Sequence, residues 1–302
     1  MANRMKIRDA KLKGLITDSQ RESVIGSQLP KGKSIMKKLL VSLITVVILV
    51  TSVSITSAAP APLFDTTQLE SGIVAISFDS GSSNRLKVAV EKDGKRLTYD
   101  LKNDGTTESF PLQMGGGAYK VSVLENIQGT SYKYVSTKAL ELDLADDNSV
   151  YLASVQNINW NNEMQAIKKA GELTAGMKTD REKINALYQY LISNVQYDYS
   201  KLNKLTTTYL PNIDETLADG KGICYDFSAT LAAMLRSLGI PAKLIKGYSP
   251  LVTGYHAWNE IYDSESGEWI VVDTSYDSQM KAQGRKYSME KSEGQYKKVH
   301  EY

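Results

Sequence analysis

The chain contains a single cysteine, Cys224, and two histidines, His256 and His300. Gly220 and Gly222 flank Lys221 just upstream of the cysteine, and the apolar spacing of Phe227, Leu231, Met234, Leu235 and Leu238 predicts a helix starting near Cys224. A thiol at a helix N-terminus lies among unpaired backbone N–H groups at the positive end of the dipole. That setting favours the thiolate, and cysteines so placed reach pKa values of roughly 3.5–7.5. The same N–H groups could hold the oxyanion that develops when a carbonyl is attacked. The bland alternative is an inert, buried thiol. His256 changes that balance. In the run Tyr255 to Tyr262, residues His256, Trp258, Glu260 and Tyr262 share one strand face, and Trp269, Val271 and Asp273 share a face of the following strand. A hairpin with residues 263–266 as its loop would pair Tyr262 with Gly267 and set His256 opposite Asp273. Directly opposed residues have Cβ atoms roughly 4.5–5.5 Å apart, within reach for a carboxylate to orient an imidazole. A slip of one residue would put the two on opposite faces, so the spacing permits the pair without requiring it. Nucleophile, base and orienting acid together are the parts of acyl transfer through a thioester.

These groups need elements to hold them. Upstream, Thr179 and Glu182 form a capping box that starts a helix, and Ile184, Leu187, Tyr188, Leu191 and Ile192 line one of its faces. A polar loop, Tyr199 to Asp214, leads towards the cysteine helix, which Gly239 and Pro241 close. Strands are expected over Ala242 to Tyr248, Tyr255 to Tyr262 and Glu268 to Asp273. Helices feeding an antiparallel sheet make an α+β arrangement. Residues 62–158 read differently, as short alternating strands with frequent turns. Expected strands include Arg85 to Glu91, Leu97 to Leu101, Ala118 to Leu124, Tyr132 to Val135 and Ala139 to Leu144. That spacing predicts a small antiparallel sandwich or barrel. No chemistry is visible there, and a spacer or substrate-presenting role is the expectation.

The motifs around these residues resemble the transglutaminase-like superfamily. The resemblance rests on Gly222-Ile223-Cys224-Tyr225-Asp226-Phe227-Ser228, Leu238-Gly239-Ile240-Pro241-Ala242, Gly247-Tyr248, His256-Ala257-Trp258-Asn259 and Val272-Asp273-Thr274-Ser275-Tyr276-Asp277, with Val195-Gln196-Tyr197-Asp198 upstream. It covers about residues 160–280, and its Cys, His and Asp blocks occur in the family's order. It implies a papain-like core with Cys224 as nucleophile, His256 as base and Asp273 as acid. Tyr276 stands where many relatives carry Trp or Phe. Among neighbouring residues, Asp226 reads as a helix-start acid whose charge would oppose a thiolate unless turned away. Trp258 reads as core and Tyr225 as a candidate groove wall. Tyr197 or Asn194 are candidates for a second oxyanion donor, and His300 reads as solvated.

Charge is unevenly placed. The net of +2 hides ten basic and three acidic residues in 1–58, which leaves 26 basic against 31 acidic, a net of −5, in 59–302. An acidic remainder without a basic stripe argues against nucleic acid as partner. Lys37 and Lys38, the apolar run Leu39 to Val50 and the small residues Thr51 to Ala61 follow the order of a secretory signal peptide. An uncleaved anchor behind a basic cytoplasmic tail is the alternative, with Met36 as an alternative start. Both readings put the functional part outside the cytoplasm, with membrane contact only through this segment. One cysteine excludes an internal disulfide and any multi-cysteine metal site; no cofactor or metal is expected.

The expected organisation is therefore 1–58 leader or anchor, 59–158 β-rich sandwich-like domain and 159–302 catalytic domain. The expected function is an exported, cysteine-dependent acyl transfer. A thioester forms with a peptide or protein amide, with a cell-envelope protein or peptidoglycan peptide among the candidate partners, and passes to an amine. Water as acceptor would instead make a cysteine protease, peptidase or deamidase, because the same three residues serve both. A non-catalytic surface binding or scaffold protein is the reading from a different class.

Overall fold

Period-two alternation dominates the first half of the described chain, and strands follow from it. The computed structural model describes residues 61–302; the leader expected at residues 1–58 lies outside the described residues. Seven strands come first: β1 (Leu63–Asp65), β2 (Ile73–Ser77), β3 (Leu86–Lys92), β4 (Lys95–Leu101), β5 (Glu108–Pro111), β6 (Gly117–Gln128) and β7 (Ser131–Leu142). They make two antiparallel sheets, ordered β1–β2–β5 and β4–β3–β6–β7. Val74, Ile76 and Phe110 of the first sheet and Val88, Val90, Val121 and Val123 of the second share one buried cluster. Two sheets closing on one core form a sandwich. The two strands expected at 132–135 and 139–144 are one continuous strand, β7. A bulge explains the broken alternation: the register shifts between Val123 and Leu124, so Val135 is left between the partners Tyr134 and Ser136.

Beyond a 3-10 turn at Asp147–Leu152, the period changes to that of helices. The order is α1 (Gln165–Thr174), α2 (Asp180–Asn194), β8 (Gln196–Tyr197), α3 (Tyr199–Leu202), α4 (Ile213–Asp219), β9 (Lys221–Gly222) and α5 (Cys224–Ser237). Strands β10 (Ala242–Ser249), β11 (Val252–Asp263) and β12 (Glu268–Val272) follow, then α6 (Thr274–Ala282), β13 (Glu290–Lys291) and β14 (Lys297–Glu301). The capping box at the start of α2 is present: the Glu182 N–H donates to Thr179 Oγ1 at 3.2 Å, and the Thr179 N–H donates to Glu182 Oε2 at 3.1 Å. The segment expected to be a polar loop holds α3 and the start of α4, where the Asn212 side chain caps the first turn. Helix α5 packs against α1, α2, α4, α6, β10 and β11, and Cys224 to Arg236 are all buried. A helix enclosed on every side needs no polar face, which is why Ala229, Ala232 and Ala233 alternate with its larger residues.

The antiparallel sheet runs β13–β12–β11–β10–β14. Its central hairpin differs from expectation. Asp263 pairs with Glu268 and Tyr262 with Trp269, rather than Tyr262 with Gly267. The turn occupies 264–267, and the register is displaced by two residues, which preserves the faces. His256 is therefore not opposite Asp273 but diagonal to it, with Asp273 just past the end of β12 as the N-cap of α6.

Arg236, 3% exposed at the end of α5, joins the parts. Its guanidinium donates to the carbonyls of Ala242 (2.8 Å), Ala153 (2.7 Å) and Tyr302 (3.0 Å), linking α5 to β10, to the segment leaving the sandwich and to the end of β14. Hydrogen bonds to a charged group are worth roughly 1.5–3 kcal/mol each, and buried carbonyls stripped of donors are costly. Arg236→Met is expected to lower unfolding stability by about 3 kcal/mol in urea titrations.

Candidate active site

Local geometry puts Cys224 at the mouth of its helix. Gly220 ends α4 in the left-handed region at φ 60°, and β9 then pairs in parallel with β8, Tyr197 beside Gly222. Gly222 must lack a side chain, because a Cβ there would lie 2.7 Å from the Asp226 Cβ. Asp226 is fully buried, and its carboxylate accepts from the Ile223 N–H at 2.8 Å, from Lys201 Nζ at 2.8 Å and from the Tyr209 hydroxyl. It caps α5 and ties down the 199–212 segment. Its charge is matched by Lys201 at 2.8 Å.

His256 Nε2 lies 2.7 Å from Asp273 Oδ2, with His256 2% and Asp273 0% exposed. Nδ1 is thus the nitrogen left for the sulfur. Cys224, 9% exposed, is the imidazole's other hydrogen-bonding and electrostatic neighbour. The structure brings the three sequence-predicted residues together.

Asp273 carries more than the imidazole. The Tyr296 hydroxyl donates to Oδ2 at 3.0 Å, while the Ser275 hydroxyl and the Tyr276 N–H donate to Oδ1 at 3.1 and 3.0 Å. Burial works to raise the Asp273 pKa, but the charge and hydrogen bond of His256, with these donors, hold it below its ordinary value. Burial likewise works against a charged imidazole; Asp273 and then Cys224 overcome it and hold the His256 pKa above its ordinary value.

The neighbours sort by geometry. The Tyr197 hydroxyl, half-buried, has both the Cys224 sulfur and the Cys224 N–H as hydrogen-bonding neighbours, and burial followed by the sulfur raises its pKa. Asn194 is exposed and donates to the Tyr190 carbonyl at 2.8 Å, so it is spent within α2. Trp258 belongs to the core with Ile245, Val271 and Tyr296, its ring 6.3 Å from that of His256 at an interplanar angle of 26°. Tyr225 is buried, and its hydroxyl accepts from Asn157 Nδ2 at 2.7 Å. His300 is exposed on β14, where burial and Lys246 lower its pKa. Sequence reasoning missed Tyr296 and Lys246. The Ser275 and Tyr276 donors were legible in principle, since Asp followed by small polar residues is a helix-start signal. Tyr296 stands among charged residues with no local pattern to mark it.

Residues 167–274 match the model of the transglutaminase-like superfamily. That segment belongs to this superfamily. The fold is accordingly a transglutaminase-like, papain-like core behind a β sandwich. A relative in Bacillus subtilis (strain 168), the uncharacterized protein YebA, is 29% identical over 114 residues, covering 30% of this chain and 15% of that protein. The chain thus spans less than one-sixth of that relative's length. Among solved structures, a candidate cysteine protease from Cytophaga hutchinsonii is similar at 16% identity and TM-score 0.42, covering 76% of this chain and 79% of that one. The periplasmic domain of TgpA from Pseudomonas aeruginosa is similar at 20% identity and TM-score 0.35, over 68% and 72% of the two chains.

The transglutaminase-like core makes a titration prediction. A histidine whose folded pKa is raised contributes stability that is full below its unfolded value and fades as pH climbs to the folded one. A carboxylate with a depressed pKa contributes above its unfolded value and loses this as pH falls through the folded one. The stability that the pair adds over Asp273→Asn is therefore expected to be largest between about pH 4.5 and 6 and to shrink steadily above about 6.5. With two histidines in the chain, NMR reads the cause directly. One imidazole titrates above the ordinary value and one below it, and Asp273→Asn lowers only the first.

Proposed function

We propose that this protein is a cysteine-dependent acyl-transfer enzyme that takes the acyl group of a peptide or protein amide onto Cys224 and passes it to an amine. The observation that carries the reading is the Cys224 sulfur beside an imidazole whose far nitrogen is held 2.7 Å from a buried carboxylate. In the first step the sulfur attacks the amide carbonyl, a C–S bond forms, and the oxygen gathers negative charge. We assign the Cys224 N–H and the Tyr197 hydroxyl, which lies beside Cys224, as the donors to that oxygen. The C–N bond breaks as His256 delivers its proton to the leaving nitrogen, and a thioester remains. An incoming amine then attacks the thioester, gives its proton to the imidazole, and the sulfur leaves as thiolate. Asp273 keeps Nε2 occupied throughout, so proton traffic runs through Nδ1.

The reading places this chemistry outside the cytoplasm. The support is the basic, apolar, then small-residue order of residues 37–61, which fits an export segment, cleaved or retained. Peptides and proteins of a cell envelope are the substrates within reach there. We also take residues 59–158 as a domain that presents substrate to 159–302.

Intact-protein mass spectrometry tests the proposal. A glutamine-containing peptide is expected to add to Cys224 with loss of ammonia, and cadaverine to convert the adduct into a peptide–cadaverine product. Release of the glutamate peptide at the same rate with or without cadaverine would make the enzyme a hydrolase. Absence of any adduct, together with iodoacetamide labelling of Cys224 that His256→Ala leaves unchanged, would remove the acyl-enzyme altogether. Tyr197→Phe is expected to slow adduct formation on the order of 10²-fold with little change in peptide binding, as loss of one oxyanion donor does.

A further inference from the structure

A cleft of about 450 Å³ lies where the sandwich meets the catalytic core. Strand β4 and the Asn157 segment form one side; Tyr209, Tyr225, Lys246 and Tyr302 form the other. Tyr225 is the residue after Cys224, so the cleft reaches the nucleophile's own helix turn.

Lys246 is the unusual group in this cleft. It projects from β10, half-buried, with its Nζ 3.5 Å from the Tyr225 ring centre and 5.0 Å from that of Tyr302. Among the described residues no carboxylate forms an ion pair with it, and its titratable neighbours are the Cys224 sulfur and His300. The acids of the cleft are engaged elsewhere: Asp100 with Lys87 at 2.8 Å, and Glu108 with the Lys102 N–H at 2.8 Å and its Nζ at 3.8 Å. Burial lowers the Lys246 pKa to about 8, with the sulfur opposing that shift. Aromatic faces hold a cation in place, but they do not replace a counterion. A desolvated cation that lacks an anion gains most when a ligand supplies one.

We infer that this cleft is the acyl-donor subsite and that Lys246 binds a carboxylate carried by the peptide being acylated onto Cys224. The inference rests on the acyl-enzyme reading and names its substrate class: peptides with an acidic residue close to the reacting amide. The exposed hydroxyl side chains of Thr207 and Thr208 line the same space and can receive the peptide backbone. The protonated form of an amine acceptor would meet repulsion from Lys246, so the cleft suits the donor and not the acceptor.

The test uses peptides that report on Cys224 without turnover. N-chloroacetyl peptide amides bearing one Glu at the first, second or third position are each compared with the matching Gln peptide, and labelling of the full chain is followed by mass. The sole cysteine makes the site of labelling unambiguous. At least one Glu peptide is expected to label about tenfold faster than its Gln twin, the effect of one charge-assisted contact. Lys246→Arg should keep that preference and Lys246→Met should abolish it, with circular dichroism confirming that both fold. Equal labelling by every pair in the unaltered protein, or a preference that survives Lys246→Met, would overturn the subsite. A failure of the acyl-enzyme reading looks different: neither peptide series labels Cys224 faster than glutathione, and His256→Ala changes nothing.

Discussion

A carboxylate with no exposed surface is the constraint around which the transglutaminase-like core is arranged. Taking an ionised group out of water costs several kcal/mol even after relaxation. Asp273 meets that cost with four partners: the imidazole, the Tyr296 and Ser275 hydroxyls and the Tyr276 N–H. The N–H belongs to the first turn of α6, so the group that aligns His256 also starts a helix. Helix α6 in turn packs on α2, where the Tyr188 hydroxyl donates to Asp277 at 2.8 Å. The position of the imidazole is thereby coupled to packing well beyond the strand that carries it.

The sulfur is placed by a different device. Helix α5 is sheathed in other elements, with Cys224 to Arg236 all buried. Backbone pairing of β8 with β9 fixes the approach, and the Asp226 cap fixes the start. The acid two residues from the thiol has both of its oxygens taken up, by Lys201 and Tyr209. His256 and Lys246 are both electrostatic neighbours of the sulfur.

Much of this was readable in residue order, for identifiable reasons. The Thr179–Glu182 box and the spacing of Ile184 to Ile192 are local signals, and local signals survive folding. The Cys, His and Asp blocks were legible because chemistry confines residue type. The hairpin register was not, since a turn of four residues can shift by two without disturbing which side chains face inward. The bulge in β7 hid a continuous strand by the same kind of ambiguity. Short α1 and α4 lay below the length at which a period can be counted. Tyr296 was invisible for another reason: it reaches Asp273 across 23 residues of sequence, and nothing near it in the chain announces the contact.

Lys246 extends that lesson from structure to specificity. A nucleophile, a base and an acid describe what bond can be broken, and their sequence blocks say little more. On the proposed reading, which amide enters depends on groups set by tertiary packing. Lys246 lies two residues beyond Leu244 on β10 and pairs with Ala257, so it shares the face of the sheet that Leu244 occupies. The aromatic rings over it come from α5 and from the residue after β14. Across the cleft, the sandwich contributes β4 and closes the space around the ammonium. If Lys246 is the donor subsite, a sandwich without chemistry of its own governs substrate choice.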